Sequence, residues 1–433
     1  MTTAMDEHAE SKAAVNGLPR LLPLVPGVPE DLRAHLARYG RPPYRGGPGL
    51  LIHGAEAAGL TGRGGAAFPV HRKLAIVAGA RGRKVIVANG AESEPASRKD
   101  ALLLRVAPNL VLDGLQLAAE TIGASEAHLY LHQGVSPEIA RALSQRAAAG
   151  CDRLGVQVTE APPRFLSGQE SALVNRLGGG PALPTFVPPR VSERGLAGAP
   201  TLVQNVETLA HLALIACYGP RWFRALGTES EPGSMLTTVH QADGTSQVIE
   251  TEIGVPLSTL ITAEPEAQAV LIGGFHGTWL PMSQAAGLTL DNATLNKRGA
   301  AVGAGVIAAL PVDRCGLIEA ARVARYLAAE SAGQCGPCLN GLPRMAAGLA
   351  ELAGPGHRRQ VRADLERWTG SQNLVAGRGA CNHPDGTVRF VRSALTVFAP
   401  EISLHAKGHC SATNRRPFLP LPDGTPTAED DWI

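Results

Sequence analysis

The sequence predicts an α/β protein in three parts: a parallel α/β layer, then a small α+β unit, then a helical bundle. Three observations support this prediction. Strands alternate with helices through residues 84–215, short strands dominate residues 229–311, and four helical segments follow from about residue 315. Alternating strands and helices are typical of a parallel sheet covered by helices. Consecutive helices favour a bundle.

The first part contains three predicted strands. Each is rich in apolar and β-branched residues, at 84–88, 127–134 and 156–162. The apolar residues of the intervening segments recur at helical spacing. The predicted helices are 71–80, 108–123, 136–150, 168–177 and 201–215.

The remaining segments place the predicted domain boundaries. The middle part has strands at 234–241, 246–253, 267–275 and 300–310 and a brief helix at 256–261. The last part has helices at 316–331, 341–354, 357–370 and 387–398. The predicted organisation is an N-terminal extension at 1–44, an α/β domain at 45–228, a small domain at 229–311, a helical bundle at 312–405 and a tail at 406–433.

Composition excludes several classes of function. The net charge is +2 and aromatic residues make up 4%, so no basic, base-stacking surface for nucleic acid is expected. The sequence contains no run of 18 apolar residues, so no membrane span is expected. The first residues lack the apolar segment of a secretory signal. Seven cysteines without such a signal predict a reducing, cytoplasmic compartment, where clustered cysteines bind metal more often than they form disulfides.

The stretch GLTGRGGAAFP, residues 59–69, has an unusually bare backbone around one positive charge, Arg63. Glycines allow positive φ and let main-chain N–H groups approach a ligand closely. Consecutive free N–H groups form a concave anion site. The stretch therefore predicts a phosphate cradle with Arg63 as a charged clamp, and a plain turn is the alternative.

Polar residues follow the predicted strands at three places. NGAESEP (89–95) puts two glutamates after the first strand, where carboxylates can accept hydrogen bonds from a ligand in an α/β crevice. Gly168 opens a helix whose free N–H groups could face a phosphate. Glu170 in that helix and Asn205 in QNVET are also explained as ordinary helix-end residues. A solvated turn is the alternative for the two glutamates.

Three cysteines have metal-ligand spacing. Cys335 and Cys338 form C-x2-C, and Cys381 follows in another glycine-rich turn. Zinc and an iron–sulfur cluster both use such ligands, and the spacing does not separate them. His405 and His409, beside Cys410, are expected in a solvated tail, with a metal site as the alternative.

Four motifs in one order carry a resemblance to a known family. They are GLTGRGGAAFPVHRKL, VANGAESEP, GQESALVNRL with PTLVQNVETLA, and ESAGQCGPCLNG. Their order resembles the flavoprotein subunit of NADH-quinone oxidoreductase (respiratory complex I) and its relatives in NAD-linked hydrogenases and formate dehydrogenases. The resemblance covers about residues 45–405. It implies an FMN- and NADH-binding α/β domain at 45–228, a β-grasp soluble-ligand-binding domain at 229–311 and an iron–sulfur-binding bundle at 312–405.

The resemblance also implies site residues. Lys73 corresponds to a lysine near the FMN phosphate, Phe68 to an aromatic that stacks with the dinucleotide, and Glu94 to a carboxylate on the NADH side. Glu92 and Glu170 take the catalytic positions. The cofactor-binding set is Gly62, Arg63, Gly64, Gly65, Phe68, Lys73, Asn89, Glu92, Glu94, Gly168, Glu170 and Asn205, and the cluster ligands are Cys335, Cys338 and Cys381.

Departures from the family pattern concentrate on the NADH side and at the cluster. Ala332 replaces one cluster cysteine, which puts a complete [4Fe–4S] cluster in doubt, and Cys410, His383 and Cys315 are candidate substitute ligands. An expected basic-aromatic segment reads VPPRV at 187–191, and its Arg190 could favour NADPH. The other departures are Ala91 and Gln169, which replace acidic residues, and Phe165 and Ile76, which stand at expected aromatic positions.

The implied function is an FMN-dependent oxidoreductase. It accepts hydride from NAD(P)H onto FMN and passes single electrons to an iron–sulfur centre or a ferredoxin-like or other redox partner subunit. The expected location is the cytoplasm, either free or peripheral to a membrane complex. The alternatives are a catalytically degenerate paralogue that acts as a binding or scaffold subunit, and a flavoprotein that uses a donor other than NADH.

Overall fold

A computed structural model of the chain describes residues 17–44, 46–47, 49–132, 136–356, 359–370, 374–422 and 432. The predicted extension at 1–44 and the predicted tail at 406–433 therefore lie partly outside the described residues.

The first sheet has four parallel strands in the order β3-β2-β1-β4. This confirms the predicted parallel α/β layer. The strands are β1 (Val85–Gly90), β2 (Glu126–Leu131), β3 (Val156–Glu160) and β4 (Thr201–Asn205). The prediction of a helix from residue 201 was wrong for its first five residues. They are buried or half-buried and pair with β1 from Val85↔Thr201 to Asn89↔Asn205, and the helix begins only at Val206.

Eight helices surround this sheet in the described part of the chain. One close contact between two of them depends on glycine, because a Cβ at Gly114 would lie 1.9 Å from the Leu209 carbonyl oxygen. Most of the side chains of that long helix are buried. The helices are α1 (Leu32–Tyr39), α2 (Gly49–Ala58), α3 (Val70–Gly79), α4 (Lys99–Val106), α5 (Pro108–Ile122), α6 (Ser136–Ala148), α7 (Glu170–Leu177) and α8 (Val206–Phe223).

The second sheet is mixed and has five strands in the order β6-β5-β9-β7-β8. The central β5–β9 pair is parallel and the other pairs are antiparallel, which is the β-grasp arrangement that the resemblance implies. Strand β8 is absent from the prediction because it is only four residues long. The elements are β5 (Ser234–His240), β6 (Ser246–Glu252), α9 (Leu257–Leu260), β7 (Ala267–Ile272), β8 (Thr278–Pro281), α10 (Met282–Ala285), α11 (Asn292–Leu295) and β9 (Val306–Pro311).

The C-terminal region is helical, as predicted. The four predicted helices are present, and a further short helix, α16, follows them. A π-helical turn at Pro337–Gly341 leads directly into the second helix of the group. The helices are α12 (Gly316–Ala329), α13 (Leu342–Ala353), α14 (Arg359–Thr369), α15 (His383–Val397) and α16 (Ala399–His405).

Among the described residues, no single helix has the length and apolar composition needed to cross a bilayer. Helices α4 and α5 meet those two criteria only when they are taken together, and they bend by 96° at the break between them.

Candidate functional site

The glycine stretch forms a closed loop between α2 and α3. Thr61 bridges Pro69, and the Gly62 amide donates to the Phe68 carbonyl at 2.9 Å. Gly65 has φ +103°, a conformation that side-chain-bearing residues rarely adopt. The loop thus places a bare backbone next to the carboxyl end of the first sheet, because a Cβ at Gly64 would lie only 3.4 Å from Asn205 Cβ.

Arg63 holds this loop in place through three hydrogen bonds. Its amide donates to Thr208 Oγ1 at 2.8 Å, and its guanidinium donates to Thr61 Oγ1 at 3.1 Å and to the Ser234 carbonyl at 3.3 Å. Burial lowers the pKa of this guanidinium, and its Nε has no partner in the structure. Arg63 therefore links the loop to the second sheet, and its assignment as a phosphate clamp stays a prediction.

The end of β1 is joined to the turn that precedes α7. Asn89 Nδ2 donates to the Gly168 carbonyl at 2.8 Å, and the Gly168 amide donates to Ser93 Oγ at 3.0 Å. A Cβ at Gly168 would lie 2.6 Å from the Ala91 carbonyl oxygen, so the two turns can approach this closely only with glycine. The predicted residues Asn89 and Gly168 are thus brought together at the carboxyl end of β1.

Glu92 caps a helix. Its carboxylate accepts hydrogen bonds from the Asp100 and Ala101 amides, each at 3.1 Å, and from Ser97 Oγ at 2.5 Å. These amides belong to the first turn of α4, where backbone donors lack partners within the helix. Capping accounts for Glu92, and a catalytic function for it stays a prediction.

Glu94 joins the two sheets. Its Oε2 accepts from the Phe275 amide at 2.7 Å and its Oε1 from the Ala96 amide at 3.2 Å. Burial raises the pKa of Glu94 to about 7, and the nearby charge of Glu92 raises it further. Gly274 packs against this carboxylate, since a Cβ there would lie 2.5 Å from Oε2. Glu94 is therefore the carboxylate of the NGAESEP turn that can hold a proton near neutral pH.

A buried charge network, which the local sequence patterns did not predict, lies beside the glycine loop. Lys99 Nζ donates to Asp100 at 2.7 Å and to Glu207 at 2.9 Å. Although burial disfavours charge on all three, Lys99 holds the pKa of Glu207 at about 2, and the carboxylates raise the pKa of Lys99. Burial raises the pKa of Asp100 to about 7. Its other oxygen accepts from Asn205 Nδ2 at 2.7 Å.

Asn205 therefore has two functions in the fold. Its Oδ1 accepts from the Glu207 and Thr208 amides at 3.0 and 3.4 Å, which caps α8, while its Nδ2 binds Asp100. The opposite charges of RKD at 98–100, at the start of an apolar helix, are the signal in the sequence that could have pointed to this network.

Two residues predicted to contact the cofactor bind each other. Lys73 Nζ, on α3, lies 2.6 Å from the Glu170 carboxylate and also donates to the Val203 carbonyl at 2.8 Å. Both side chains are partly exposed. Gln169, which replaces an expected glutamate, caps α7 by accepting from the Ser171 and Ala172 amides at 2.8 and 2.9 Å.

Apolar side chains expected near the dinucleotide lie at the surface. The exposed fractions are 39% for Phe68 and 48% for Ile76. Arg190 is also exposed, and its amide donates to Glu193 at 3.2 Å. These side chains are therefore accessible to a ligand.

The three predicted cluster cysteines are brought together. The side chains of Ser331 and Cys335 hydrogen-bond with the Cys338 thiol, and Cys381 is close enough to act on both of the other thiols. Burial raises the pKa of Cys338 to about 11 and that of Cys381 above its ordinary value. The donor set fits an iron–sulfur cluster held by three thiolates, and Ala332 offers no fourth ligand.

Aromatic contacts connect the thiol cluster to the turn at Gly168. The Phe165 ring centroid lies 4.8 Å from that of His276 and 5.6 Å from that of His383. His276 Nε2 and His383 Nδ1 are 3.0 Å apart, and His383 Nε2 is 2.8 Å from the Leu327 carbonyl. His383 follows Cys381 by two residues and Phe165 precedes Gly168 by three, so these rings bring together chain segments that belong to the two predicted cofactor sites.

The proposed substitute ligands are not all near this centre. Cys315 caps the beginning of α12, whereas Cys335 and Cys338 follow its end. The 14 residues of α12 separate the two ends by about 21 Å. Cys315 interacts with Cys410, so Cys410 also lies at the beginning of α12. The expectation that Cys315 or Cys410 could complete the cluster was therefore wrong.

The expected solvated tail at His405 was also wrong. His405 is 3% exposed and Cys410 is half-buried, while His409 is exposed. His128 lies on β2 as predicted, where its Nε2 is 2.7 Å from Glu126 Oε1.

The cradle fits a flavin mononucleotide in two respects. Gly62, Gly64, Gly65 and Gly168 present backbone without side chains at the carboxyl ends of β1 and β4, where α/β folds bind ligands. Arg63 Nε is buried beside the loop without a partner. Glycine loops next to helix starts offer N–H groups to phosphate.

Comparison with protein families gives two matches. Residues 55–214 match the family described as Nuo51 FMN-binding domain. Residues 319–405 match the family described as NADH-ubiquinone oxidoreductase-F iron-sulfur binding region. The first match contains the whole predicted cofactor-binding set, and the second contains the three predicted cluster cysteines.

Individual proteins give the same picture. An F-type subunit of NADH-quinone oxidoreductase of Rhizobium meliloti, the one numbered 2, is 28% identical over 379 residues, which is 83% of this chain and 89% of the relative. The corresponding F-type subunit of Streptomyces coelicolor is 28% identical over 388 residues, covering 83% and 84%. A chain of an NAD+-reducing [NiFe]-hydrogenase in the H2-reduced state superimposes with a TM-score of 0.75 at 29% identity over 84% of this chain. The present chain spans 63% of that hydrogenase chain.

Proposed function

The chain belongs to the F-type subunit family of NADH-quinone oxidoreductase, and we propose that it acts as an FMN-dependent oxidoreductase that takes hydride from NADH and passes single electrons to an iron–sulfur centre. One observation carries the proposal. The glycine loop lies at the carboxyl end of β4 and the Gly168 turn lies at the carboxyl end of β1, its neighbour in the sheet, within the span matched by the FMN-binding family.

Bound FMN supplies hydride acceptance followed by one-electron release. The protein's own residues hold and orient it. The backbone of Gly62–Gly65 and Gly168 would line the flavin and its phosphate, and Lys73 would supply a positive charge to that phosphate. The pair with Glu170 keeps the ammonium group in place.

Of the two glutamates in the turn after β1, Glu94 is the one that can hold a proton at physiological pH. Its Oε2 is fixed by the Phe275 amide on the second sheet, and burial raises its pKa to about 7. We propose that Glu94, rather than Glu92, binds and releases a proton in this site. The Glu92 carboxylate already accepts hydrogen bonds from Ser97 and from the first turn of α4.

Electrons leave the flavin site through the C-terminal region. Cys335, Cys338 and Cys381 would hold the cluster, and the packed rings of Phe165 and His383 lie between the Gly168 turn and that centre.

An exposed residue bears on whether NADH or NADPH is the hydride donor. Arg190 adds a positive charge near the segment where the family has a lysine, which would favour the additional phosphate of NADPH. We therefore propose that the protein accepts NADPH as well as NADH. Binding of the two nucleotides to the flavin-loaded protein, compared with Arg190→Ala, tests this, and an equal preference in both proteins would contradict it.

The partner of the protein is inferred to be another redox protein, ferredoxin-like or otherwise iron–sulfur-containing, since one-electron release needs an acceptor. We also infer a cytoplasmic location, free or peripheral to a membrane complex. Support comes from the seven cysteines, none of which forms a disulfide in the structure.

A second candidate function is a scaffold protein that has lost turnover. The observation in its favour is Ala332, which removes a cluster ligand. An anaerobic visible spectrum, recorded on iron-reconstituted protein before and after addition of NADH, separates the candidates. Flavin bands that bleach support the oxidoreductase, bands that persist indicate another donor, and a colourless protein supports the scaffold.

A further inference from the structure

We propose a second metal site, distinct from the iron–sulfur centre, in which Cys315, Glu401, His405 and Cys410 bind one zinc ion. Their four ligand atoms all lie within 4.8 Å of one another. The site lies where the beginning of α12, helix α16 and the chain after α16 meet. The proposal does not depend on the proposed function.

The spacing of the donors is close to that of a zinc site. Cys315 Sγ is 3.6 Å from His405 Nε2, and that nitrogen is 3.0 Å from Glu401 Oε1. Zinc bonds of about 2.0–2.3 Å place the ligands of a tetrahedron about 3.3–3.8 Å apart. One of these two separations lies within the tetrahedral range and the other is slightly shorter, and shifts of about 1 Å or less would bring the other ligand atoms, which lie within 4.8 Å, into the same range.

The chemistry of the donor set is also that of zinc. Two thiols, one imidazole and one carboxylate are all ligands that zinc accepts, and four protein ligands make a closed structural site. Cys315, Glu401 and His405 are buried and Cys410 is half-buried.

The surrounding backbone holds the four residues in place. The Ile318 amide donates to Cys315 Sγ at 3.4 Å, which fixes the thiol at the start of α12. Glu401 Oε1 accepts from the Ser411 amide at 2.9 Å and Oε2 from Ser411 Oγ at 2.6 Å. These bonds draw the segment containing Cys410 against α16.

Hydrogen bonds also join the residues just before Cys315 to the residues just after Cys410. The Thr413 and Asn414 amides donate to the Asp313 carbonyl at 3.1 and 3.0 Å, and Asn414 Nδ2 donates to Asp313 Oδ2 at 3.0 Å. The residues before Cys315 and after Cys410 are therefore already paired without a metal. Such preorganisation favours ion binding over rearrangement.

Binding has a defined proton balance. Burial raises the pKa of Cys315 to about 12, so its thiol is protonated when no ion is bound. Entry of Zn²⁺ replaces one proton on each thiol, and two protons are released to solvent. No electron is transferred, because zinc is redox-inactive. The ion would fasten the chain after α16 to α12, about 21 Å along that helix from the iron–sulfur ligands.

The first test measures zinc and iron per chain in the full-length protein, isolated from zinc-supplemented medium under reducing conditions. The expected result is one zinc in addition to the iron. X-ray absorption spectroscopy at the zinc edge should show two sulfur and two nitrogen or oxygen neighbours. Absence of zinc, or a neighbour set of four sulfurs, would overturn the proposal without the need for any variant.

Variants then locate the ion. Cys315→Ser with Cys410→Ser should remove zinc and leave iron, whereas Cys338→Ser should lower iron and leave zinc. Cys217→Ser, a half-buried cysteine outside both sites, is the matched control and should keep both metals. Zinc retained at full stoichiometry in the double variant would place it elsewhere and overturn the assignment.

If the double variant fails to fold, Glu401→Gln keeps the proposal testable. It preserves the size of the side chain and should weaken zinc retention during titration with a chelator, with wild-type retention as the reference. A wild-type mass lower by two hydrogens, from a disulfide between Cys315 and Cys410, would also contradict the proposal, because the thiols would then be unavailable to the ion.

Discussion

Lys73 Nζ lies 2.6 Å from the carboxylate of Glu170, so the cation assigned to the FMN phosphate is already paired with an anion from another helix. Lys73→Met should weaken FMN binding at least tenfold, because the phosphate loses its counter-charge. Glu170→Gln should weaken it less, since the cation persists. Isothermal titration of the flavin-free protein measures both affinities.

The pair itself adds little to stability. Both side chains are partly exposed, and such ion pairs typically contribute less than about 1 kcal/mol. Neither variant should shift the free energy of unfolding by more than that. A larger shift would mean that lost flavin affinity reflects damage to the fold rather than loss of a charge.

The buried network around Lys99 should behave differently. Lys99→Met leaves the Glu207 carboxylate buried without its cation, and removing one partner of a buried pair costs about 3–5 kcal/mol. Denaturant unfolding measures the loss. Lys297→Met, at an exposed lysine, is the control and should have little effect. An equal effect of the two substitutions would show that the network does not stabilise the fold.

Glu94 should make stability depend on pH. Its pKa is raised from 4.5 to about 7, so the folded protein binds this proton more tightly than the unfolded chain. The resulting stabilisation is complete below pH 4.5 and is lost as the pH rises through about 7. Glu94→Gln should therefore show a shallower decrease in the free energy of unfolding over that interval.

Unfolding of the wild type and of Glu94→Gln, measured at several pH values, gives the difference directly. The comparison is needed because burial also raises the pKa of Asp100 to about 7, so the wild-type slope contains both groups. Parallel curves for the two proteins would assign the whole slope to Asp100 and other groups, and would contradict a proton on Glu94 near neutral pH.

The sequence predicts the parts of the site that are local. The glycine loop is visible because its residues are adjacent, and Cys335 and Cys338 are visible because their spacing is short. The contact between Lys99 and Glu207 joins residues 108 positions apart, and no local pattern encodes it. Glu92 and Glu94 look alike in the sequence, and only the fold makes one a helix cap and the other a link between sheets.

The fold shows the same division. Strand β4 looks like the beginning of a helix in the sequence because its apolar residues continue into α8, and only pairing with β1 makes them a strand. The polar neighbours of His405 along the chain predict an exposed side chain. It is buried because α16 packs against α12, a contact between segments about 90 residues apart.

Gly168 tests the close approach of two turns. In Gly168→Ala, the new Cβ would lie 2.6 Å from the Ala91 carbonyl oxygen, and the turns must separate. Overpacking of this kind costs about 1–3 kcal/mol, and flavin binding should weaken. Gly287→Ala is the control, because nothing lies within 4 Å of its added Cβ. Unchanged flavin affinity in Gly168→Ala would exclude this turn from the cofactor site.

Ala332 offers the sharpest test of the iron–sulfur centre. It stands in the turn before Cys335, where the family pattern has a cysteine, and a methyl group cannot bind iron. Ala332→Cys should restore a fourth thiolate, raise the iron content toward four per chain as for a [4Fe–4S] cluster, and make the cluster resist loss of iron in air. Iron analysis and electron paramagnetic resonance of the reduced protein measure the change.

Ala332→Ser is the control for the change in size at this position, since its hydroxyl is a much poorer iron ligand than a thiolate. It should keep the wild-type iron content. If Ala332→Cys has the same iron content and spectrum as the wild type, then the thiol at this position does not reach the cluster. The fourth coordination position would then belong to another group, and Ser331, whose hydroxyl already contacts the Cys338 thiol, would be the residue to replace next.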